Sequence, residues 1–218
     1  MPRSLHFIFA LILTLTCFGS AAKTLLVLGD SLSAGYGLSS QQGWVQLLAK
    51  RLDEEALDVT VVNASISGET TAGGLRRLPA LLAEHRPTWL LIELGGNDGL
   101  RGYPIGQMRN NLQKMIRLGQ DSGAKVMVME IWLPPNYGPR YLDAFKASFG
   151  QVAKDNGARL LPFFAKDVAT QDGMIQADGI HPTAQAQPAL LEALWPHLQA
   201  AGITADATGP GTSHQLTQ

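Results

Sequence analysis

The chain has 218 residues, with 17 Lys+Arg against 18 Asp+Glu, 45% hydrophobic residues and 16% charged ones. That length suits one domain that buries about 70% of the unfolded chain's surface, and the apolar content excludes disorder for the bulk of it. A net charge of −1 leaves no basic face to release counterions from a phosphate backbone, so no nucleic-acid partner is expected.

Residues 1–22 combine Arg3, an almost wholly apolar run over 5–18 and the small exit Gly19-Ser20-Ala21-Ala22. This pattern predicts a secretory signal peptide cut after Ala22, and the run is shorter than the ~20 residues a membrane span needs. The expected location is therefore the periplasm or outside the cell, with no stable membrane span after cleavage. The sole cysteine, Cys17, falls in this segment, so the exported chain holds no disulfide and no thiolate. At the other end, residues 202–218 are Gly, Thr, Ser, Ala and Gln without apolar period and predict a loose polar tail. The intervening 23–201 is expected to be a single domain, and to be monomeric.

Apolar runs at 23–28, 59–62, 89–94, 125–131 and 159–161 read as strands buried on both faces. Between them, apolar residues recur at helical spacing: Trp44, Leu47, Leu48 and Leu52; Leu75, Leu78, Leu81 and Leu82; Met108, Leu112, Met115 and Ile116; Leu142, Phe145, Phe149 and Val152; and lastly Leu190, Leu191, Leu194 and Leu198. Alternating strands and helices imply an α/β fold, a doubly wound parallel sheet with helices on both faces. Ligands of such sheets bind at the carboxyl ends of the strands, so the loops that follow the strands are where chemistry is expected.

The first of these loops is Gly29-Asp30-Ser31-Leu32-Ser33-Ala34-Gly35-Tyr36-Gly37. It fits a Gly/Ser turn, an anion cradle at a helix start, or a nucleophilic serine at a sharp strand-to-helix bend. It lacks both the dinucleotide glycine pattern and the lysine of the nucleotide-binding loop. A serine needs a base, because its hydroxyl is scarcely ionised at neutral pH. His181 is the candidate, standing in Asp178-Gly179-Ile180-His181-Pro182 just ahead of the last helix, whereas His85, His197 and His214 fall on helix ends or in the tail. Asp178, three residues earlier, can reach the ring nitrogen that faces away from Ser31 and hold its tautomer. Alternatively, Asp178-Gly179 is only a turn and His181-Pro182 only a helix start. Gly95-Gly96-Asn97-Asp98 places an amide donor at the same sheet edge, and Gly68, within Asn63-Ala64-Ser65-Ile66-Ser67-Gly68, offers an unobstructed backbone N–H. With the Ser31 N–H these make three donors for an oxyanion, where loss of one costs about 100–1000-fold.

Taken together, Gly29-Asp30-Ser31-Leu32, Gly68, Gly95-Gly96-Asn97-Asp98 and Asp178-Gly179-Ile180-His181-Pro182 resemble the SGNH (GDSL) hydrolase superfamily over nearly all of 23–200. The stretches Asn63-Ala64-Ser65-Ile66-Ser67-Gly68 and Leu133-Pro134-Pro135-Asn136-Tyr137-Gly138-Pro139-Arg140-Tyr141 are similar to its periplasmic thioesterase I, protease I, lysophospholipase and arylesterase branch. The resemblance implies a three-layer flavodoxin-like α/β/α sandwich of five parallel strands in the order 2-1-3-4-5. It also implies Ser31 as nucleophile, His181 as base, Asp178 as its orienter, and Ser31, Gly68 and Asn97 as the oxyanion hole.

The expected activity is two-step hydrolysis of an acyl ester or thioester, with no cofactor and no metal. Asp98 and Glu69 are read as turn caps rather than ligands. Substrate contacts are expected from Gly96, Leu133, Tyr137 and Ile180, beside Leu100, Tyr103, Ile105 and Pro134, as an acyl-chain groove. A carbohydrate O-acetyl esterase of the same superfamily, or a non-catalytic periplasmic anion-binding protein, are the alternatives. A neutral-imidazole mechanism loses rate as pH falls through an imidazole's ordinary value of about 6.5.

Overall fold

The computed structural model describes residues 23–168 and 170–204. The expected leader over 1–22, and the tail from 205 onward, lie outside the described residues. Five strands, β1 (Lys23–Gly29), β2 (Val59–Asn63), β3 (Trp89–Glu93), β4 (Lys125–Met129) and β5 (Arg159–Leu161), form one sheet in the order β2-β1-β3-β4-β5. Every pairing is parallel, with Leu25 opposite Val61 on one side and Trp89 on the other.

Helices cover both faces, as parallel strands require for their crossovers. They are α1 (Ser31–Ala34), α2 (Trp44–Glu54), α3 (Thr71–His85), α4 (Gly96–Leu100), α5 (Ile105–Asp121), α6 (Pro139–Asp155) and α7 (Gln187–Ala200), with short 3₁₀ turns at Pro135–Tyr137 and Ala184–Ala186. Successive strand side chains point to opposite faces, and the core divides accordingly. Leu25, Val27, Trp89, Leu91, Met127 and Met129 pack with α2 and α7 residues such as Trp44, Leu48, Leu190 and Leu194. Leu26, Leu28, Leu90, Ile92, Val126 and Val128 pack with Leu78, Leu112, Met115, Phe145 and Phe149 of α3, α5 and α6. Each fully buried Leu of β1 contributes roughly 1.5–3 kcal/mol relative to exposure.

The expectation of strands buried on both faces holds for β1, β3 and β4 but not for the margins. β2 alternates half-buried with exposed residues, and β5 exposes Arg159 and Leu160. Both are edge strands, with a neighbour on one side only. β4 also ends at Met129 rather than at 131, which frees residues 131–134 to line a cavity. At the far end, Ile203 is 2% exposed and packs against the α2/α7 side, so ordered packing continues beyond residue 201. Among the described residues, no helix is long and apolar enough to cross a membrane.

Candidate active site

Strand order reverses beside β1, whose chain goes on to β2 on one side while β3 lies on the other. The crevice at the carboxyl ends of β1 and β3 is thus the expected ligand position, and the sequence-derived residues converge there. Ser31 opens α1, whose N-cap is Asp30: the Asp30 carboxylate accepts the Leu32 N–H at 3.1 Å. Gly35 ends this single turn in the left-handed conformation at φ 74°, which favours glycine. Such a short turn leaves the Ser31 hydroxyl at the crevice.

His181 reaches the same point from the loop before α7. Its Nε2 lies 2.7 Å from the Ser31 Oγ, and its Nδ1 lies 2.7 Å from the Asp178 Oδ2. The other oxygen of Asp178 accepts the backbone N–H groups of Ile180 at 2.9 Å and His181 at 3.0 Å. Gly179 sits at φ +73° in that turn, a conformation that a residue with a Cβ rarely adopts. Those two N–H groups, then the imidazole, hold the Asp178 carboxyl down at about 2, so it is ionised whenever the ring needs a partner.

The loop that carries His181 is fastened to the loop that carries the serine. Gln176 Nε2 donates to the Tyr36 carbonyl at 2.9 Å and to the Pro182 carbonyl at 3.0 Å, and the Gln176 N–H donates to the His181 carbonyl at 2.8 Å. The Tyr36 ring lies 4.5 Å from the imidazole, centroid to centroid. Neither Gln176 nor Tyr36 is among the residues singled out from the sequence. Gly37 is the one signal for Gln176, since a Cβ there would meet the Gln176 Oε1 at 2.5 Å.

Asn97 stands in the first turn of α4, and its Nδ2 donates to the Asp30 Oδ2 at 3.1 Å. An ionised carboxylate can only accept, so this contact sets which end of the amide is nitrogen and leaves a second N–H for the crevice. Gly96 makes the approach possible: a Cβ there would stand 3.1 Å from the Asp30 oxygen. Gly68 lines the same cavity at φ +78°, and its carbonyl accepts the Arg101 Nη2 at 2.9 Å. Among the described residues, the backbone N–H groups of Ser31 and Gly68 have no intramolecular acceptor.

Beneath this surface lies a second acid. Glu93 is fully buried at the end of β3, and its Oε2 accepts the Asp30 N–H at 3.2 Å and the Ser33 hydroxyl at 2.7 Å, while its Oε1 has no partner. Burial, then the neighbouring Asp30 charge, pushes the Glu93 carboxyl well above the usual range, and burial raises Asp30 to about 6. Burial thus favours the protonated form of Glu93, beneath an Asp30 that is charged at neutral pH. Asp98 accepts the N–H of Thr71 at 2.8 Å and its hydroxyl at 2.5 Å, tying α4 to the start of α3; Glu69 pairs with Arg77 at 2.8 Å. Among the described residues, no group of three or more His, Cys, Asp or Glu is placed to hold a metal ion.

The cavity above the serine has a volume of about 370 Å³. Of the expected substrate contacts, Gly96, Leu133 and Ile180 line it with Leu100 and Pro134, while Tyr137, Tyr103 and Ile105 do not. The Tyr137 hydroxyl instead donates to the Leu100 carbonyl at 2.9 Å, and that of Tyr141 to the Gly99 carbonyl at 3.2 Å, bracing the end of α4. Ile105 packs into the core below α5. Tyr36, Ser67, Ile131 and Trp132 complete the lining.

Comparison with known proteins finds similarity over most of the chain. A profile of the GDSL-like Lipase/Acylhydrolase family matches residues 27–188. The chain is 57% identical to Esterase TesA of Pseudomonas aeruginosa over 180 residues, 83% of this chain and 90% of that protein. It is 45% identical to thioesterase 1/protease 1/lysophospholipase L1 of Escherichia coli K12 over 194 residues, 89% of this chain and 92% of that protein. A crystal structure of the psychrotrophic esterase EstA from Pseudoalteromonas sp., inhibited by monoethylphosphonate, superposes with a TM-score of 0.80 at 47% identity, covering 82% of this chain and 97% of that one.

Proposed function

Because the chain belongs to the GDSL-like lipase/acylhydrolase family and is a hydrolase of ester bonds, we propose that it cleaves acyl esters and thioesters through an acyl-Ser31 intermediate. The observation that carries this reading is the unbroken line from the Ser31 Oγ to the His181 Nε2, and from the His181 Nδ1 to the Asp178 Oδ2, each contact 2.7 Å long.

In the resting state the neutral imidazole donates its Nδ1–H to Asp178, which leaves Nε2 to accept the serine hydroxyl. Ser31 Oγ attacks the substrate carbonyl carbon as its proton passes to His181 Nε2. The carbonyl oxygen becomes an anion, which accepts hydrogen bonds from the backbone N–H of Ser31 and Gly68 and from the free amide N–H of Asn97. Collapse expels the alcohol or thiol, which takes the proton from His181. A water then attacks the acyl-serine, giving its proton to His181, and the second intermediate breaks to release the carboxylic acid and restore the Ser31 hydroxyl.

The aliphatic lining by Leu100, Ile131, Leu133, Pro134 and Ile180 favours an acyl chain over a sugar, since each buried CH₂ contributes ~0.8 kcal/mol. The leader pattern over 1–22 supports action outside the cytoplasm. Ester, thioester and lysophospholipid hydrolysis, for which the relatives are named, are the assays of choice. The decisive experiment is intact-mass and peptide mass spectrometry after an organophosphonate probe. We expect a single adduct on Ser31, lost in Ser31→Ala; an unmodified, inactive wild type would return the chain to the anion-binding reading.

A further inference from the structure

A second recess of about 170 Å³ opens between α6 and the segment that follows β4, lined by Trp132, Leu133, Leu142, Asp143, Phe145 and Lys146. It shares two walls, Trp132 and Leu133, with the cavity above Ser31. The two walls differ in what holds them. Leu133 is wedged against α4: a Cβ at Gly99 would meet its methyls at 2.7 and 2.9 Å and Phe145 at 2.6 Å. Trp132, by contrast, is 41% exposed.

Trp132 is nevertheless held on several sides. Its indole N–H donates to the Glu130 carboxylate. Its ring stacks on Phe163 at 5.8 Å and 27°, and the Lys146 ammonium lies over it at 4.2 Å. Lys146 in turn pairs with Glu130 at 3.7 Å. Three elements thus fix one exposed indole: the end of β4, the loop after β5, and α6. An exposed side chain held by stacking, cation–π and hydrogen-bond contacts makes a rigid partition, because swinging it would forfeit all three at once.

We propose that Trp132 is the residue that sets acyl chain length, a fixed partition that stops the chain at the end of the first cavity and closes off the apolar recess beneath Leu142 and Phe145. This inference rests on the proposed function, in which the first cavity holds the acyl part of the substrate. Removing the indole joins the two spaces, and each methylene newly taken out of water raises kcat/KM by about fourfold. Substrates too short to reach the partition gain nothing.

The test is kcat/KM for nitrophenyl esters from acetyl to dodecanoyl on the wild type, Trp132→Ala, Trp132→Leu and Trp132→Phe, with Trp132→Ala/Leu142→Trp as a refilled recess. All rates are compared with that for the acetyl ester of the same variant, and near-UV circular dichroism reports that each variant is folded. For Trp132→Ala and Trp132→Leu, decanoyl and dodecanoyl rates rise by tenfold or more, whereas Trp132→Phe keeps the wild-type profile and the refilled double variant returns to it. Should Trp132→Ala fail to fold, Trp132→Leu carries the same comparison with more of the packing retained. A wild type with no chain-length slope overturns the acyl-groove reading itself. A sloped wild type whose Trp132→Ala and Trp132→Leu profiles run parallel to it overturns the assignment of Trp132 alone. A shift seen only in a series of acetate esters with varied alcohols does the same, because the cavity then holds the leaving group.

Discussion

The Asp30 carboxylate binds both sides of the proposed oxyanion site. One oxygen accepts the Leu32 N–H at 3.1 Å and so caps the turn that begins with Ser31; the other accepts the Asn97 side-chain amide at 3.1 Å. With one carbonyl and one NH₂ in its place, Asp30→Asn cannot accept at both positions, so either the cap is lost or the Asn97 amide turns its oxygen to the substrate. We expect kcat to fall about 10–100-fold with KM within about twofold, because the donor acts on the transition state and hardly on the ground state. Steady-state kinetics with an aryl ester read this directly. Adding Asp30→Asn to Asn97→Ala should cost little more than Asn97→Ala alone, as one path is already broken; full additivity would give Asp30 a purely scaffolding role.

Replacing Asp178 by asparagine separates orientation from charge. The oxygen of the substituted side chain could still accept the backbone N–H groups of Ile180 and His181, so the turn at Gly179 stays formed. Its amide nitrogen would then face the imidazole Nδ1 and select the tautomer whose Nε2 carries a proton, which cannot accept one from Ser31. The expected loss for Asp178→Asn is about 10⁴-fold in kcat, with at most a small fall in melting temperature, measured by single-turnover kinetics and thermal unfolding. A loss near tenfold would demote Asp178 to a turn residue.

The placement of the chemistry was legible because it rides on the most buried strands. β1 and β3 carry largely apolar runs followed by the glycines Gly29 and Gly95, so the sequence assigns Ser31 and Asn97 to the loops at the carboxyl ends of two strands. His181 was legible because the other histidines fall on amphipathic helix ends or in the tail. What stayed hidden are contacts between loops far apart in the chain. The Glu93 side chain interrupts an otherwise apolar strand, Trp89-Leu90-Leu91-Ile92-Glu93, which marks a buried acid, yet nothing local says that Ser33 and Asp30 will meet it. Tyr137 misled because an aromatic residue in a cavity-flanking loop can turn its hydroxyl to a backbone carbonyl, here that of Leu100, and leave the cavity to Trp132. Edge strands misled for a different reason: β5 reads as apolar, but with no strand beyond it Leu160 remains 38% exposed.

The buried acid pair has a consequence for stability. Asp30 titrates near 6 in the folded chain, and Glu93 well above its usual range, whereas both ionise near 4 in an unfolded chain. From about pH 4 upward the folded state therefore holds protons that the unfolded state has released, so these groups stabilise most at acid pH and their contribution declines as pH rises. Asp30's share is lost by about pH 6; that of Glu93 is lost as pH rises through its own raised value. The limiting slope is about 1.4 kcal/mol per pH unit per group. Glu93→Gln, neutral at every pH, should lose less stability than the wild type as pH rises from 5 to 8 in urea titrations. Parallel pH curves for the two proteins would place an ionised Glu93 in the folded state.

Asp178 works in the opposite sense. Its carboxyl is held at about 2 by the Ile180 and His181 N–H groups and the imidazole, so its stabilising contribution is present above about pH 4 and fades as pH falls from there towards 2. The side chain is 37% exposed, which keeps the effect small through solvent screening. Asp178→Asn should therefore flatten the pH dependence of stability only below about pH 4, where the wild type loses this contribution, and leave the Asp30–Glu93 slope above it untouched. Following unfolding by near-UV circular dichroism from pH 7 to pH 2 separates the two windows.

Two helical glycines should respond to alanine with opposite signs. A Cβ at Gly106, in the first turn of α5, meets nothing within 4 Å, so Gly106→Ala gains helix propensity and lowers unfolded-state entropy, adding about 0.4–1 kcal/mol. At Gly99 the same methyl would collide with Phe145 at 2.6 Å and Leu133 at 2.7 Å. Phe145 is 1% exposed and packs edge-on to Phe149 at 5.2 Å, so it has little room to retreat, and Leu133 must give instead, towards the cavity it lines. Overpacking of this kind costs about 1–3 kcal/mol, more than the propensity gain. Gly99→Ala should thus lower the urea midpoint and raise KM for octanoyl esters more than for acetyl esters, because the displaced leucine occupies acyl space. Equal KM changes across the two esters would mean that α4 shifts as a body and that the cavity wall stays where it is.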